Sequence, residues 1–246
     1  PPNDNSVVED TLRENSNVAA IILEPTGAHM GLHPIKPKFL TQLREVTEKY
    51  GVVLIFDEVV TGFRLAYGGA QEYYGVVPAL IPYGKAMGGG YPIGAFGGRR
   101  DIMSAFDPTD GGADLAHAGT FNANPITMRA GEVVMNALTV DEYERMNALG
   151  QILREKLRAV FAEMDVSVTI TGVASLFGIH FTDGEVKNYR DAISADSQMK
   201  KAFFLGMLNE GVLLMAGAAG ALNVLSTDDH VDELVDSARR VIQRIR

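Results

Sequence analysis

Between Val52 and Phe56 the chain carries five consecutive apolar residues that stop at a carboxylate pair, Asp57-Glu58. A run this short, rich in β-branched side chains and unbroken by polar positions, predicts a strand buried on both faces. The segment before it places Phe39, Leu40, Leu43, Val46 and Tyr50 on one helical face, closed by Gly51. Ahead of that helix, the run Val18 to Leu23, ended by Glu24-Pro25, is a second buried-strand pattern. Ala79–Ile81 and Ile93–Phe96 are two further strand candidates. Buried strands joined by helical crossovers predict a largely parallel sheet covered by helices, so the fold class is α/β.

The pattern changes after about residue 122. Asn124-Pro125 has the form of a helix cap with proline in the first turn, opening a helix through Leu138. Asp141 opens a longer one with Met146, Leu149, Leu153, Leu157, Phe161 and Met164 on one face. Val166–Ile170 and Ser175–Phe181 read as strands, Met199–Asn209 as a helix, Val212–Met215 as a short strand. A last helix starts near Ser226-Thr227 and buries Val231, Leu234, Val235, Ala238, Val241 and Ile245. This divides the chain into a first domain over 1–140 and a smaller α/β domain over 141–246.

Composition removes several classes of function. A net charge of −9 over 246 residues disfavours nucleic acid, whose phosphates must be met by clustered Lys and Arg. With no cysteine, disulfide frameworks and thiolate chemistry are absent. The longest apolar runs are too short to span a bilayer, and the polar, proline-led start carries no secretory signal, which makes a cytoplasmic location the expectation. That start lacks an initiator Met and runs quickly into a strand-like segment, which reads as the middle of a larger protein or a chain whose front is absent.

In parallel α/β sheets, ligands gather at the carboxyl ends of the strands. Glu24 to His29, Asp57 to Val59, Tyr83 to Gly90 and Gly119 to Asn124 occupy such positions. Asp57 alone could simply cap a turn. Asp57-Glu58 could also be the second acidic motif of a P-loop nucleotide hydrolase, but Gly84-Lys85 is followed by Ala86, and Ala79 stands where the loop's first glycine belongs. Lys85 is more informative. No other charge lies between Glu72 and Arg99, and Gly88-Gly89-Gly90 follows it closely. An amine in apolar, glycine-rich surroundings loses solvation, which frees it to attack a carbonyl, and glycines let backbone approach a flat ligand. A lysine holding pyridoxal phosphate in this way needs a carboxylate for the pyridine nitrogen, for which Asp57 is the candidate, and phosphate donors, which Gly119-Thr120 can supply.

Four segments occur in order: Glu24-Pro25, Leu54 to Arg64, Gly84 to Ala95, and Gly119 to Pro125. Together they resemble the class III pyridoxal-phosphate aminotransferases, and Asp57-Glu58-Val59-Val60-Thr61-Gly62-Phe63-Arg64 is closest in form to the glutamate-1-semialdehyde aminomutase branch. The resemblance covers essentially the whole chain. It implies a fold-type-I transferase in which 1–140 is the C-terminal part of the large cofactor-binding domain and 141–246 the small C-terminal domain. It implies pyridoxal 5′-phosphate as cofactor, a Schiff-base role for Lys85, a pyridinium partner in Asp57, and Val59 packed on one ring face. Thr120 then binds phosphate of the neighbouring subunit's cofactor, making a homodimer with shared sites, and Glu24 lies beside the site. His29 stands where that branch commonly has an amide near the phenolic oxygen, and it could donate the same hydrogen bond.

The substrates implied are a small amino donor and a carbonyl acceptor, with no membrane or nucleic-acid partner. An aminomutase or racemase is the alternative; a P-loop hydrolase and an inactive truncated remnant are the remote ones. His29 and His33 have helical metal-ligand spacing, but Gly31 and Pro34 argue for loop, not metal. The charge-free stretch Gly211–Ser226 implies a small, apolar substrate pocket if it lines the site. The family's chain is longer, with an N-terminal half before the Glu24-Pro25 strand. Without that half, the sheet is expected to expose unpaired edges and apolar faces and to bind cofactor poorly.

Overall fold

The computed structural model describes residues 2–109 and 112–245. They form two compact units: Asn3–Pro25 with Lys36–Thr139, and Thr26–Ile35 with residues 140–245. A single cut at residue 140 therefore leaves out one feature, because Thr26–Ile35 packs with the C-terminal unit. The anchor is Gly31, whose carbonyl accepts from the Thr171 hydroxyl at 2.7 Å and lies 2.8 Å from His180 Nε2.

The first unit runs α1 (Asn5–Glu14), β1 (Ala20–Leu23), α2 (Pro37–Lys49), β2 (Val53–Phe56), α3 (Gly69–Tyr74), β3 (Leu80–Gly84), β4 (Gly94–Gly98), α4 (Arg100–Met103) and α5 (Pro125–Ala137). Its sheet has the order β1-β2-β3-β4. β1 and β2 pair in parallel, Ala20 opposite Val53 through Leu23 opposite Phe56, and β2 is parallel to β3. β4 is antiparallel to β3, since the connection over residues 85–93, which holds one 3-10 turn, is too short for a helical crossover. α1 lies in the polar segment ahead of the first strand, where the sequence suggests no helix. Its start is set by Asp4, whose carboxylate accepts from the amides of Ser6 and Val7.

Burial departs from the two-faced expectation. In β2, Leu54 and Phe56 are fully buried while Val53 and Ile55 are half-buried. β1 is the edge strand, and its Ile22 is 61% exposed, because no described element covers that face. The apolar run there is an open flank, not a core strand.

α5 opens as its sequence suggests. Asn124 Oδ1 accepts from the amides of Ile126 and Thr127 at 3.0 and 3.3 Å, and Pro125 fills the first turn. Replacing Asn124 by alanine is expected to cost about 1 kcal/mol, read as a lower denaturant midpoint at unchanged slope.

The second unit runs α6 (Val140–Glu163), β5 (Thr169–Thr171), β6 (Leu176–His180), α7 (Tyr189–Ser194), α8 (Ser197–Asn209), β7 (Ala219–Ala221) and α9 (Asp228–Ile245). Its antiparallel sheet has the order β5-β6-β7. Leu153, Leu157, Phe161, Phe203, Ile179 and Ile242 meet in one core, with the Phe161 and Phe203 rings 5.8 Å apart. The strand expected at Val212–Met215 is not formed. Only Met215 bridges to Ala219, Leu213 is exposed, and pairing passes to Ala219–Ala221.

Candidate active site

The parallel ladder of the first unit continues past its named strands. The Asp57 amide donates to the Leu23 carbonyl at 2.8 Å, the Glu58 amide donates to the Pro82 carbonyl at 3.2 Å, and Glu58 bridges Tyr83 in parallel register. Glu24, Asp57 and Lys85 thus leave three neighbouring strands at one edge of the sheet. This is the carboxyl edge, where a parallel sheet presents ligand-binding groups.

Alternation along β2 separates the two carboxylates. Asp57 follows the half-buried face of Val53 and Ile55, and its Oδ1 accepts from the Val59 amide at 3.1 Å, which fixes the carboxylate. Glu58 follows Leu54 and Phe56 into the interior and is fully buried. It accepts from the Thr61 hydroxyl at 3.0 Å and from the Ala70 and Gln71 amides at 2.5 and 3.0 Å, so it holds the first turn of α3. Gly69 (φ +76°) allows this approach, because a Cβ there would collide with the Glu58 carboxylate. Burial raises the Glu58 carboxyl above its ordinary range. Burial, then the Glu58 charge, raises the Tyr83 phenol, which accepts from Gln71 Nε2 at 3.3 Å.

Lys85 begins a 3-10 turn, Lys85–Gly88, directly after β3. Its φ of +49° is an uncommon conformation for a residue with a Cβ, and such outliers concentrate where function holds the backbone in place. The turn is clamped to α5. A Cβ on Gly89 would stand 2.5 Å from the Ala130 carbonyl oxygen, and one on Gly131 would strike the Met87 carbonyl. Gly89 and Gly131 therefore let the Lys85 turn and α5 pack backbone to backbone, while Gly90 faces open space. Val59 Cγ1 lies 3.4 Å from where a Cβ on Gly84 would stand, which puts Val59 against the residue preceding Lys85.

One expectation fails within the described residues. Lys85 is exposed, not shielded in an apolar setting, although it forms no ion pair there. The absence of neighbouring charges in sequence says nothing about which surfaces cover a side chain. Thr120 is also exposed, in the turn before α5. His29 belongs to the other unit, on one 3-10 turn (Ala28–Met30) where the sequence reading had loop. Among the described residues no group of three metal-ligating side chains converges, and no helix is long and apolar enough to cross a membrane.

The sheet edge thus offers an uncommitted amine on a strained backbone, with a held carboxylate on the next strand. That set fits an aldehyde-bearing cofactor whose ring needs a proton partner. The family model described as "Aminotransferase class-III" matches residues 5–242. An omega-transaminase from Sphaerobacter thermophilus is 38% identical with a TM-score of 0.94, over 99% of this chain and 56% of that one. A structure described as "Transaminase with PLP bound", with no organism given, is 29% identical with a TM-score of 0.88 over the same shares. A glutamate-1-semialdehyde aminomutase from Pseudomonas aeruginosa PAO1, 23% identical, shares the fold (TM-score 0.87) over 100% of this chain and 56% of that one. The chain spans about half the length of the solved structures it matches, and over nearly all of its own length it belongs to the class-III aminotransferase family.

Proposed function

We propose that this chain carries the lysine-bearing part of a pyridoxal-phosphate-dependent aminotransferase, which moves an amino group between an amino compound and an aldehyde or keto acid. The observation that carries the reading is the parallel pairing that brings Asp57 and Lys85 to neighbouring strand ends. When bound, the cofactor supplies an aldehyde and a ring that withdraws electrons. Lys85 holds the aldehyde carbon through its amine and, once released, moves the proton on and off the substrate carbon. Asp57 keeps a proton on the ring nitrogen, and Val59 presents an apolar face to the ring. Thr120 binds phosphate, and His29 donates to the phenolic oxygen.

Thr120 is assigned to the neighbouring subunit's cofactor, in a homodimer. Exposed Leu115, Phe121, Ile126, Met128 and Val133, close to Thr120 in sequence, support that assembly, since exposed apolar side chains favour a covering partner. A second subunit is one surface able to cover the exposed Lys85 amine. The division into large-domain part (1–140) and small domain (141–246) and a cytoplasmic location belong to the same reading.

Borohydride reduction of the cofactor-loaded protein, followed by peptide mass mapping, is the test. The cofactor's mass is expected on the peptide containing Lys85; recovery on another lysine would sink the assignment. An aminomutase is the second reading, favoured by the form of Asp57 to Arg64. Stoichiometric consumption of a keto-acid co-substrate supports transfer, whereas net turnover without one supports the mutase.

A further inference from the structure

Tyr83 has no part in the roles given above, yet it connects the strand of Lys85 with the stretch that follows Asp57. It stands two residues before Lys85 in β3 and bridges Glu58 in parallel register, so its side chain leaves the sheet on the face of the Glu58 carboxylate. Gly62, Phe63 and Gln71 fix its position. A Cβ on Gly62 would stand 2.6 Å from Tyr83 Cδ1, so the ring rests on the bare backbone of that glycine. The Phe63 ring lies 5.6 Å away, tilted by 45°. Gln71 Nε2 donates to the phenol oxygen at 3.3 Å.

These neighbours are themselves tied to Asp57 and Glu58. The Val59 amide donates to Asp57 Oδ1 at 3.1 Å, the Gly62 amide to the Glu58 carbonyl at 2.8 Å, and the Gln71 amide to Glu58 Oε1 at 3.0 Å. On the other side of the connection stands Pro82, which has no amide hydrogen to give to an adjacent strand. That removes a backbone donor from β3 just before Lys85. Lys85 is itself exposed, so no packing over its side chain fixes the amine, and the backbone beneath must do so. We propose that Tyr83 and Gln71 are positioning residues, whose hydrogen bond, with the ring seated on Gly62, braces the strand end that carries Lys85 against the turn that carries Asp57.

The inference rests on the cofactor reading, because the brace matters to an amine that attacks an aldehyde. In that step the amine nitrogen bonds the aldehyde carbon, and the aldehyde oxygen leaves as water. An amine held in place reacts faster than one that wanders, and one hydrogen bond of this kind is worth about fivefold. The test strips the full protein of cofactor, adds pyridoxal 5′-phosphate at rising concentration and follows the visible band that forms. Tyr83→Phe keeps the ring on Gly62 and removes the hydroxyl, while Gln71→Met keeps the length and removes the donor. Each is expected to lower the saturating rate about fivefold at an unchanged half-saturating concentration, and the double variant should be no slower than either single one. Damage to folding alone would lower the amplitude of the band and not its rate. Unchanged rates, a loss confined to amplitude, or two effects that multiply in the double variant would each overturn the brace. Borohydride mapping of the parent protein separates the two failures. Cofactor on Lys85 with unchanged variant rates overturns the brace alone, whereas cofactor on another lysine overturns the cofactor reading and the brace with it.

Discussion

Replacing Lys85 by alanine in the cofactor-loaded protein is expected to lower kcat by about 10⁴-fold, the upper range for removing a group that both attacks and moves a proton. The cause is chemical rather than structural. Lys85 is exposed, and its left-handed φ is set by the turn that Gly89 and Gly131 clamp against α5, so losing the side chain removes no packing. The melting temperature should therefore hold while turnover collapses. Lys85→Arg sharpens the test: a guanidinium keeps the charge but stays protonated and cannot attack a carbonyl. It should be as inactive as the alanine variant. Added methylamine should restore part of the proton-transfer rate to Lys85→Ala, since a free amine can occupy the vacated space. A Lys85→Arg enzyme with near-normal kcat would show that charge, not nucleophilicity, is what the reaction takes from this position.

The site was legible in the sequence wherever its signal was local, and illegible wherever tertiary cover decided the outcome. Lys85 and Asp57 stand out because each ends an apolar run, and parallel pairing of β2 with β3 brings those ends together. Long amphipathic helices such as α2, α6 and α9 announce themselves by period, whereas α3 and α7 have six residues each and too little repeat to see. The exposure of Lys85 and Ile22 could not be read, because both depend on what lies over them, not on their neighbours in the chain. The β7 shift has a similar origin. Val212 to Met215 has strand composition, but Ala219 to Ala221 are the residues that reach β6. Glu58 is a different case, since its role was within reach. Leu54, Phe56 and Glu58 share one face by simple alternation, and a strand with its even face buried must send Glu58 inward and leave Asp57 outside.

That placement makes Glu58 the residue whose loss should damage the fold most among the polar groups of the first unit. Its two oxygens accept from the Thr61 hydroxyl and the Ala70 and Gln71 amides; Thr61 and Ala70 are fully buried and Gln71 half-buried. Glu58→Ala leaves three donors without an acceptor, at about 1–3 kcal/mol for each that water cannot reach, so a loss of roughly 3 kcal/mol or more is expected. α3 should fray first, seen as faster amide hydrogen exchange at Ala70 and Gln71. Glu58→Gln retains an acceptor oxygen but adds donors where donors already converge, and should fall between. The pH dependence has a definite sign. Burial raises the Glu58 carboxyl above its ordinary 4.5, so the folded state holds this proton more tightly than the unfolded chain does. Stability from the neutral form is full below the ordinary value and is lost as pH rises through the raised one. Unfolding free energy measured against pH should thus decline above 4.5 in the parent protein more steeply than in Glu58→Gln. Parallel curves for the two proteins would mean that the hydrogen bonds offset desolvation at the Glu58 carboxyl.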